Sequence, residues 1–241
     1  MAEILTIFSN LDLLALALFL LAWVGYEGFV ALSIRRGSNL PARMQVWRER
    51  WMQSAVGRDN RILDVQILQS LTGNSAFLAS TAIFVIGGLA AALGASADVV
   101  KVLNGIDYFA TTSQNRFGFK VALMILIFTH AFFRLAWSMR LHNNAGVVLG
   151  SIPQPGDGDP AVARSRAAVA ARLVTLAARH YNGGMHAYYF GLAACAWFLH
   201  PAGLMAATVW VVAILYRREF RLVADLIRMT ILGHEARAEA A

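Results

Sequence analysis

The sequence predicts an all-α, polytopic membrane bundle of about five spans, and three observations carry that expectation. Hydrophobic residues make up 58% of the 241-residue chain and charged residues only 15%, where a soluble domain carries about 25% charge; the mean hydropathy is +0.55. The apolar residues gather into runs near the length a helix needs, about 20 residues for roughly 30 Å of hydrocarbon. The basic residues fall in three clusters between and after those runs. Together these features exclude a disordered chain and argue against a soluble enzyme. The single cysteine, Cys195, excludes an internal disulfide and any metal centre built on several thiolates.

Residues 11–34 form the first predicted span, with Asp12 at its edge and Tyr26 and Glu27 inside it. No basic region precedes it and no small-residue cleavage site follows, so it is expected to be retained rather than removed as a signal peptide. Residues 40–56 interleave Met44, Trp47, Trp51 and Met52 with Arg43, Arg48 and Arg50. That composition predicts an amphipathic helix on the membrane surface, its tryptophans at headgroup depth and its arginines on anionic lipid. Residues 66–93 are the second span, opening with Gln66, Gln69 and Asn74 and closing in a Gly/Ala-rich stretch from Gly87. Residues 119–139 are the third. A Gly/Pro-rich loop follows, then an Ala/Arg helix over 161–179, again expected at the interface. Residues 181–199 and 203–220 complete the bundle as a hairpin turning at His200-Pro201. If that hairpin is re-entrant the count falls to four. The whole chain, 1–241, reads as one integral membrane domain.

The +7 charge is explained by topology. Arg35, Arg36, Arg43, Arg48, Arg50, Arg58 and Arg61 lie between spans one and two. Arg140, Arg164, Arg166, Arg172 and Arg179 lie between three and four, and Arg217, Arg218, Arg221, Arg228 and Arg237 follow span five. These are 17 of the 21 basic residues, and a five-span chain puts all of them on one side. The positive-inside rule then places the N-terminus outside and the C-terminus in the cytoplasm. This is no nucleic-acid signature, and a bacterial inner membrane is the expected location.

Three blocks carry a family resemblance. They are residues 182–190 (NGGMHAYYF), 197–201 (WFLHP) and 215–220 (LYRREF), supported by 66–81 (QILQSLTGNSAFLAST) and by the span from Phe119-Lys120 to Ser138-Met139-Arg140. In them the chain resembles the membrane-protein family catalogued as domain of unknown function number 599, over most of its length. His186 stands where that family pattern typically has arginine. The resemblance implies the architecture and no activity.

Ionisable groups within the spans are the functional candidates, because each costs about 2.5–3.5 kcal/mol at mid-membrane on insertion scales and so calls for a partner or water. From the helical rise, Glu27 and Arg134 each lie roughly 10 Å inside the arginine-rich end. Asn74, Tyr188 and Tyr189 fall at a comparable depth, His186 begins the same helix turn, and His130 stacks one turn from Arg134. The expected polar layer is therefore Glu27, Asn74, His130, Arg134, His186, Tyr188 and Tyr189, with Glu27–Arg134 as its ion pair. Neighbouring tyrosines point about 100° apart on a helix, so one of the two at most faces the layer. Arg217, Arg218 and Glu219 would form a cytoplasmic mouth. Arg43, Trp47, Arg48, Arg50 and Trp51 would meet lipid.

A line of ionisable groups can bind an anion, relay protons or line a pore, while a matched pair can equally do no more than fix helix packing. Gln69, Asn74, Ser75, Ser80 and Thr81 are read as interhelical hydrogen-bonding groups. His180 and His186 would converge on a soft metal with Met185 only if the chain kinks at Asn182-Gly183-Gly184. Cys195 reads as a small buried hydrophobe. No catalytic motif, metal site or cofactor fingerprint is present. The leading expectation is a homo-oligomeric ion channel or small transporter of an ion or solute. A non-catalytic scaffold or accessory subunit binding lipid or a partner complex is the alternative, and a lipid or quinone enzyme stands third.

Overall fold

A computed structural model describes residues 8–105 and 113–221, and its regular elements are all helical. In chain order they are α1 (Asn10–Arg35), α2 (Leu40–Ala55), α3 (Ile62–Gly94), α4 (Ser96–Asn104), α5 (Gln114–Gly150), α6 (Pro160–Cys195), a 3-10 turn (Ala196–Phe198), α7 (Pro201–Tyr216) and a π turn (Arg217–Arg221). The stretch 222–232, Arg228, His234 and Arg237 lie outside the described residues.

Local sequence sets the helix starts. Ser9 and Asp12 form a reciprocal capping box at the head of α1, which satisfies backbone donors that have no helical acceptor. Asn39, Asp159 and His200 cap α2, α6 and α7, each with proline in the first turn, where its missing N–H costs nothing. Three helices, α1, α3 and α5, are long and apolar enough to cross a membrane. Their length and composition are those of a membrane protein.

The bundle is organised on α5, which packs against α3 on one side and α6 on the other; α7 lies against α1 and α6, and α2 lies along α6. Two cores result. In one, Phe19, Ile127, Phe190 and Trp197 join α1, α5 and the end of α6. In the other, Met52, Leu68, Leu149 and Val174 join α2, α3, α5 and the first half of α6. Small residues set the approach of α5 and α6. A Cβ on Gly184 would sit 2.7 Å from Leu135 Cγ, and one on Gly191 would sit 2.9 Å from the Phe128 ring.

The structure differs from the sequence reading in three places. The stretch 161–179 and most of 181–199, up to Cys195, are one uninterrupted helix, α6, because Gly183 and Gly184 both turn towards α5 and their lack of side chains serves packing rather than a break. Without a kink, His180 and His186 do not converge. The first half of α6 buries Ala163, Ala167, Ala170 and Ala171 in the second core rather than standing apart as a separate surface helix. Cys195 is exposed; a thiol on an outer face of an apolar bundle needs no protein pocket when lipid is the solvent.

Candidate functional site

The charged groups meet at the arginine-rich end of the bundle. α1 supplies Glu27, α6 supplies His186, and the π turn folds Glu219 back over them. His186 is buried, at 4% exposure. Its Nδ1 lies 2.8 Å from Glu27 Oε1 and its Nε2 lies 2.7 Å from Glu219 Oε1. A neutral imidazole carries one N–H and so serves one acceptor. An imidazole held between two carboxylates therefore needs a proton on each N···O line, which leaves the three groups together with a single negative charge. Tyr26 packs its ring edge-on to His186 at 5.3 Å. The Tyr26 hydroxyl and Glu219 Oε2 are both buried there, near enough to interact with each other.

Arg134 of α5 approaches from the other side of Glu27, Nη2 to Oε2 at 3.8 Å. The same nitrogen donates to the Arg179 carbonyl at 3.4 Å, and Nε is buried without a partner. Its place is made by Gly183, where a Cβ would lie 1.7 Å from Nη2. A cavity of about 510 Å³ opens beside these groups, bordered by Glu27, Arg35, Arg134, Arg179, Asn182 and His186. A second, of about 240 Å³, is lined by Arg48, Asn74, His142, Tyr181 and Asn182. A third, of about 270 Å³, holds Arg48, Tyr189, Arg218 and Glu219. Asn182 borders all three.

The residues that build this site lie within 14–224, which match the family model described as Protein of unknown function, DUF599. The chain belongs to the DUF599 family. No curated protein and no solved structure matches it.

In this DUF599 chain the expected polar residues divide. Glu27, Arg134 and His186 come together as described. His130 is exposed, its ring edge-on to Trp23 at 5.7 Å. Asn74 faces the second cavity. The Tyr188 hydroxyl donates to the Leu78 carbonyl of α3, whereas the Tyr189 hydroxyl accepts from Arg218 Nη1 at 2.7 Å. Of the residues read as a mouth, Arg217 and Arg218 are exposed and Glu219 turns inward. On α2, Arg43, Trp47 and Arg50 are on the outside, with the Arg50 guanidinium 5.1 Å from the Trp47 ring. Trp51 and Arg48 face inward instead. Trp51 Nε1 donates to Asp64 Oδ1 at 2.7 Å, and Arg58 pairs with the same oxygen. The cause is Asp64 itself, a fully buried carboxylate that is costly without such donors.

Ser75 and Ser138 bond across α3 and α5 at 3.2 Å, while the Thr81 hydroxyl caps a carbonyl of its own helix and Gln69 and Ser80 are exposed. At the opposite end of the DUF599 bundle, Lys120 Nζ donates to the Trp197 carbonyl at 2.8 Å and Trp197 Nε1 donates to Asp12 at 2.9 Å. Among the described residues no group of His, Cys, Asp or Glu is arranged to hold a metal ion. Sequence reading missed the His186–Glu219 contact, the seat Gly183 makes for Arg134, and the cavity roles of Arg35 and Arg179. The one signal for the first was an acid set among Arg217, Arg218 and Arg221.

Proposed function

We propose that this protein is an integral membrane transport protein, a homo-oligomeric channel or small transporter of the bacterial inner membrane. Its spans are α1, α3, α5, the second half of α6, and α7, with the N-terminus outside and the charged network in the cytoplasmic half. The observation that carries this reading is access. Glu27 and Arg134 keep 32% and 30% of their side chains exposed and border a cavity of about 510 Å³, within the usual range for small-molecule sites. A pair that served only as glue would be packed dry. Flux through proteoliposomes, measured for the wild type against Glu27→Gln and Arg134→Gln, tests it. Transport that falls in both variants is the expected result; a folded wild-type protein that moves no ion under any imposed gradient rejects it.

One observation favours a second reading, an accessory subunit or scaffold. On α3, Gly87 and Gly88 are exposed and a Cβ on either would meet nothing within 4 Å. Small residues of this kind let helices approach closely in lipid. A second copy of the chain on that face supports a homo-oligomer, and a different protein supports the scaffold. Purification in mild detergent separates the two: a single band at a multiple of the chain mass favours the first, a stoichiometric foreign subunit the second.

A further inference from the structure

Charge around the cavities is unbalanced. Arg35, Arg134 and Arg179 border the cavity of about 510 Å³, Arg48 borders those of about 240 and 270 Å³, and the acids that face them are Glu27 and Glu219. Those acids are already engaged, since each gives an oxygen to His186. The arginines are engaged only loosely. Arg134 has one long hydrogen bond and one ion pair at 3.8 Å, and Arg179 donates to Gln45 Oε1 at 3.2 Å. Arg48 makes no hydrogen bond or ion pair among the described residues, and it lies near enough to Arg179 for their charges to oppose each other. Burial and that neighbour both press its pKa downward. A half-buried guanidinium with a donor left unpaired, as at Arg134 Nε, is unfavourable, and guanidinium groups are the ones best shaped to grip a planar or tetrahedral oxyanion by paired N–H donors.

We propose that the 510 Å³ cavity is a binding site for a small oxyanion, a carboxylate or phosphate held between Arg134 and Arg179, with Arg35 at the rim. The anion completes the hydrogen bonds that Arg134 lacks. Glu27 is the opposing wall: because it is tied to His186, it repels the ligand less than a free carboxylate would. The proposal rests on the transport reading only in naming the solute class; the site itself is a matter of cavity and charge. The same chemistry is offered by a free solute and by the headgroup of an anionic lipid.

The test uses the full chain in phosphatidylcholine nanodiscs, titrated by calorimetry with inorganic phosphate and with succinate against sodium chloride of equal ionic strength. Arg179→Gln removes a guanidinium that is exposed and whose one bond is to Gln45. Gly183→Ala keeps every charge and evicts the Arg134 guanidinium from its seat. The expected result is saturable binding of an oxyanion that weakens about tenfold or more in each variant, the scale of one charge-assisted hydrogen bond. A free-solute site binds in phosphatidylcholine. A lipid site shows instead as a rise in Tm on moving to phosphatidylglycerol-containing nanodiscs, lost in both variants, and either result supports the proposal. Binding that both variants leave unchanged, or no response to either source, overturns it. Cation flux that persists without oxyanion binding would leave the transport reading standing and remove this one, while binding without any flux would do the reverse.

Discussion

Gly183 and His186 hold this site together by opposite means, one by absence of a side chain and the other by saturation. A methyl group at Gly183 would fall inside the Arg134 guanidinium, the movable end of a side chain beside a cavity, so Gly183→Ala is expected to displace that group at a cost of about 1 kcal/mol. The same change at Gly87, where nothing lies within 4 Å, should stay within about 0.5 kcal/mol; thermal unfolding in one detergent compares the two directly. His186 serves Glu27 and Glu219 at once. His186→Ala leaves both carboxylates facing each other without their donor and should destabilise by about 3–5 kcal/mol, the scale for breaking a buried ion pair. Glu219→Gln, which still offers an oxygen to the ring, should lower Tm by much less. A His186→Ala variant that unfolds no earlier than Glu219→Gln would mean the imidazole is not the joint. The Glu27–Arg134 pair was legible in the sequence because depth in a membrane follows from counting residues to the helix end. The His186–Glu219 contact was not, because it depends on which way α6 faces and on how the chain turns after α7, and tertiary packing sets both.

At the scale of elements, the junction of α2 and α3 shows why residue type alone misplaces a side chain. Trp and Arg on a short amphipathic helix fit the membrane surface equally well wherever they stand on it. What divides Trp47 from Trp51 is Asp64 on the next helix, which is fully buried and takes the Trp51 indole N–H and the Arg58 guanidinium. Trp51→Phe keeps the ring and removes that donor, and should cost about 1.5–3 kcal/mol, as for a hydrogen bond to a charged group. Trp47→Phe, on a ring that is 60% exposed, should be close to neutral in detergent. Equal losses at the two positions would mean that α2 is not anchored through Asp64. The neighbouring Arg61 does similar work, donating to the carbonyls of Ala55, Ile152 and Pro153 and so tying the α2–α3 connection to the loop before α6. Arginines counted as topology signals thus also close backbone ends. The continuity of α6 was illegible for a related reason: adjacent glycines ordinarily punctuate a chain, and only the side chains of Arg134 and Leu135 on α5 explain why these two do not.

For the whole molecule, span assignment and direction are separable. Long apolar helices follow from composition, and α1, α3 and α5 meet that standard; α6 and α7 are harder to read because the apolar half of α6 continues a polar one and α7 has only 16 residues. Direction rests on the clustering of arginine. At the end of the bundle that holds the cavities, the α1–α2 and α2–α3 connections and the turn after α7 are basic, whereas the turn between α6 and α7 has only His200 as an ionisable group. On the proposed function, the rule that basic loops stay in the cytoplasm would put the cavity mouths inside the cell and that turn outside. A Cys195→Ser background removes the one native thiol, which lies on an exposed face and is replaced at little cost. In that background Ser38→Cys, between α1 and α2, should react with a membrane-impermeant maleimide only after the cells are opened. Ala202→Cys, at the α6–α7 turn, should react in intact cells. Labelling of both from the same side would mean an even number of crossings between them, and labelling of both only in opened cells would make the α6–α7 hairpin re-entrant. Full reversal of the pattern would turn the arginine-lined cavity to the cell exterior, so that any oxyanion it binds would be met on uptake rather than on export.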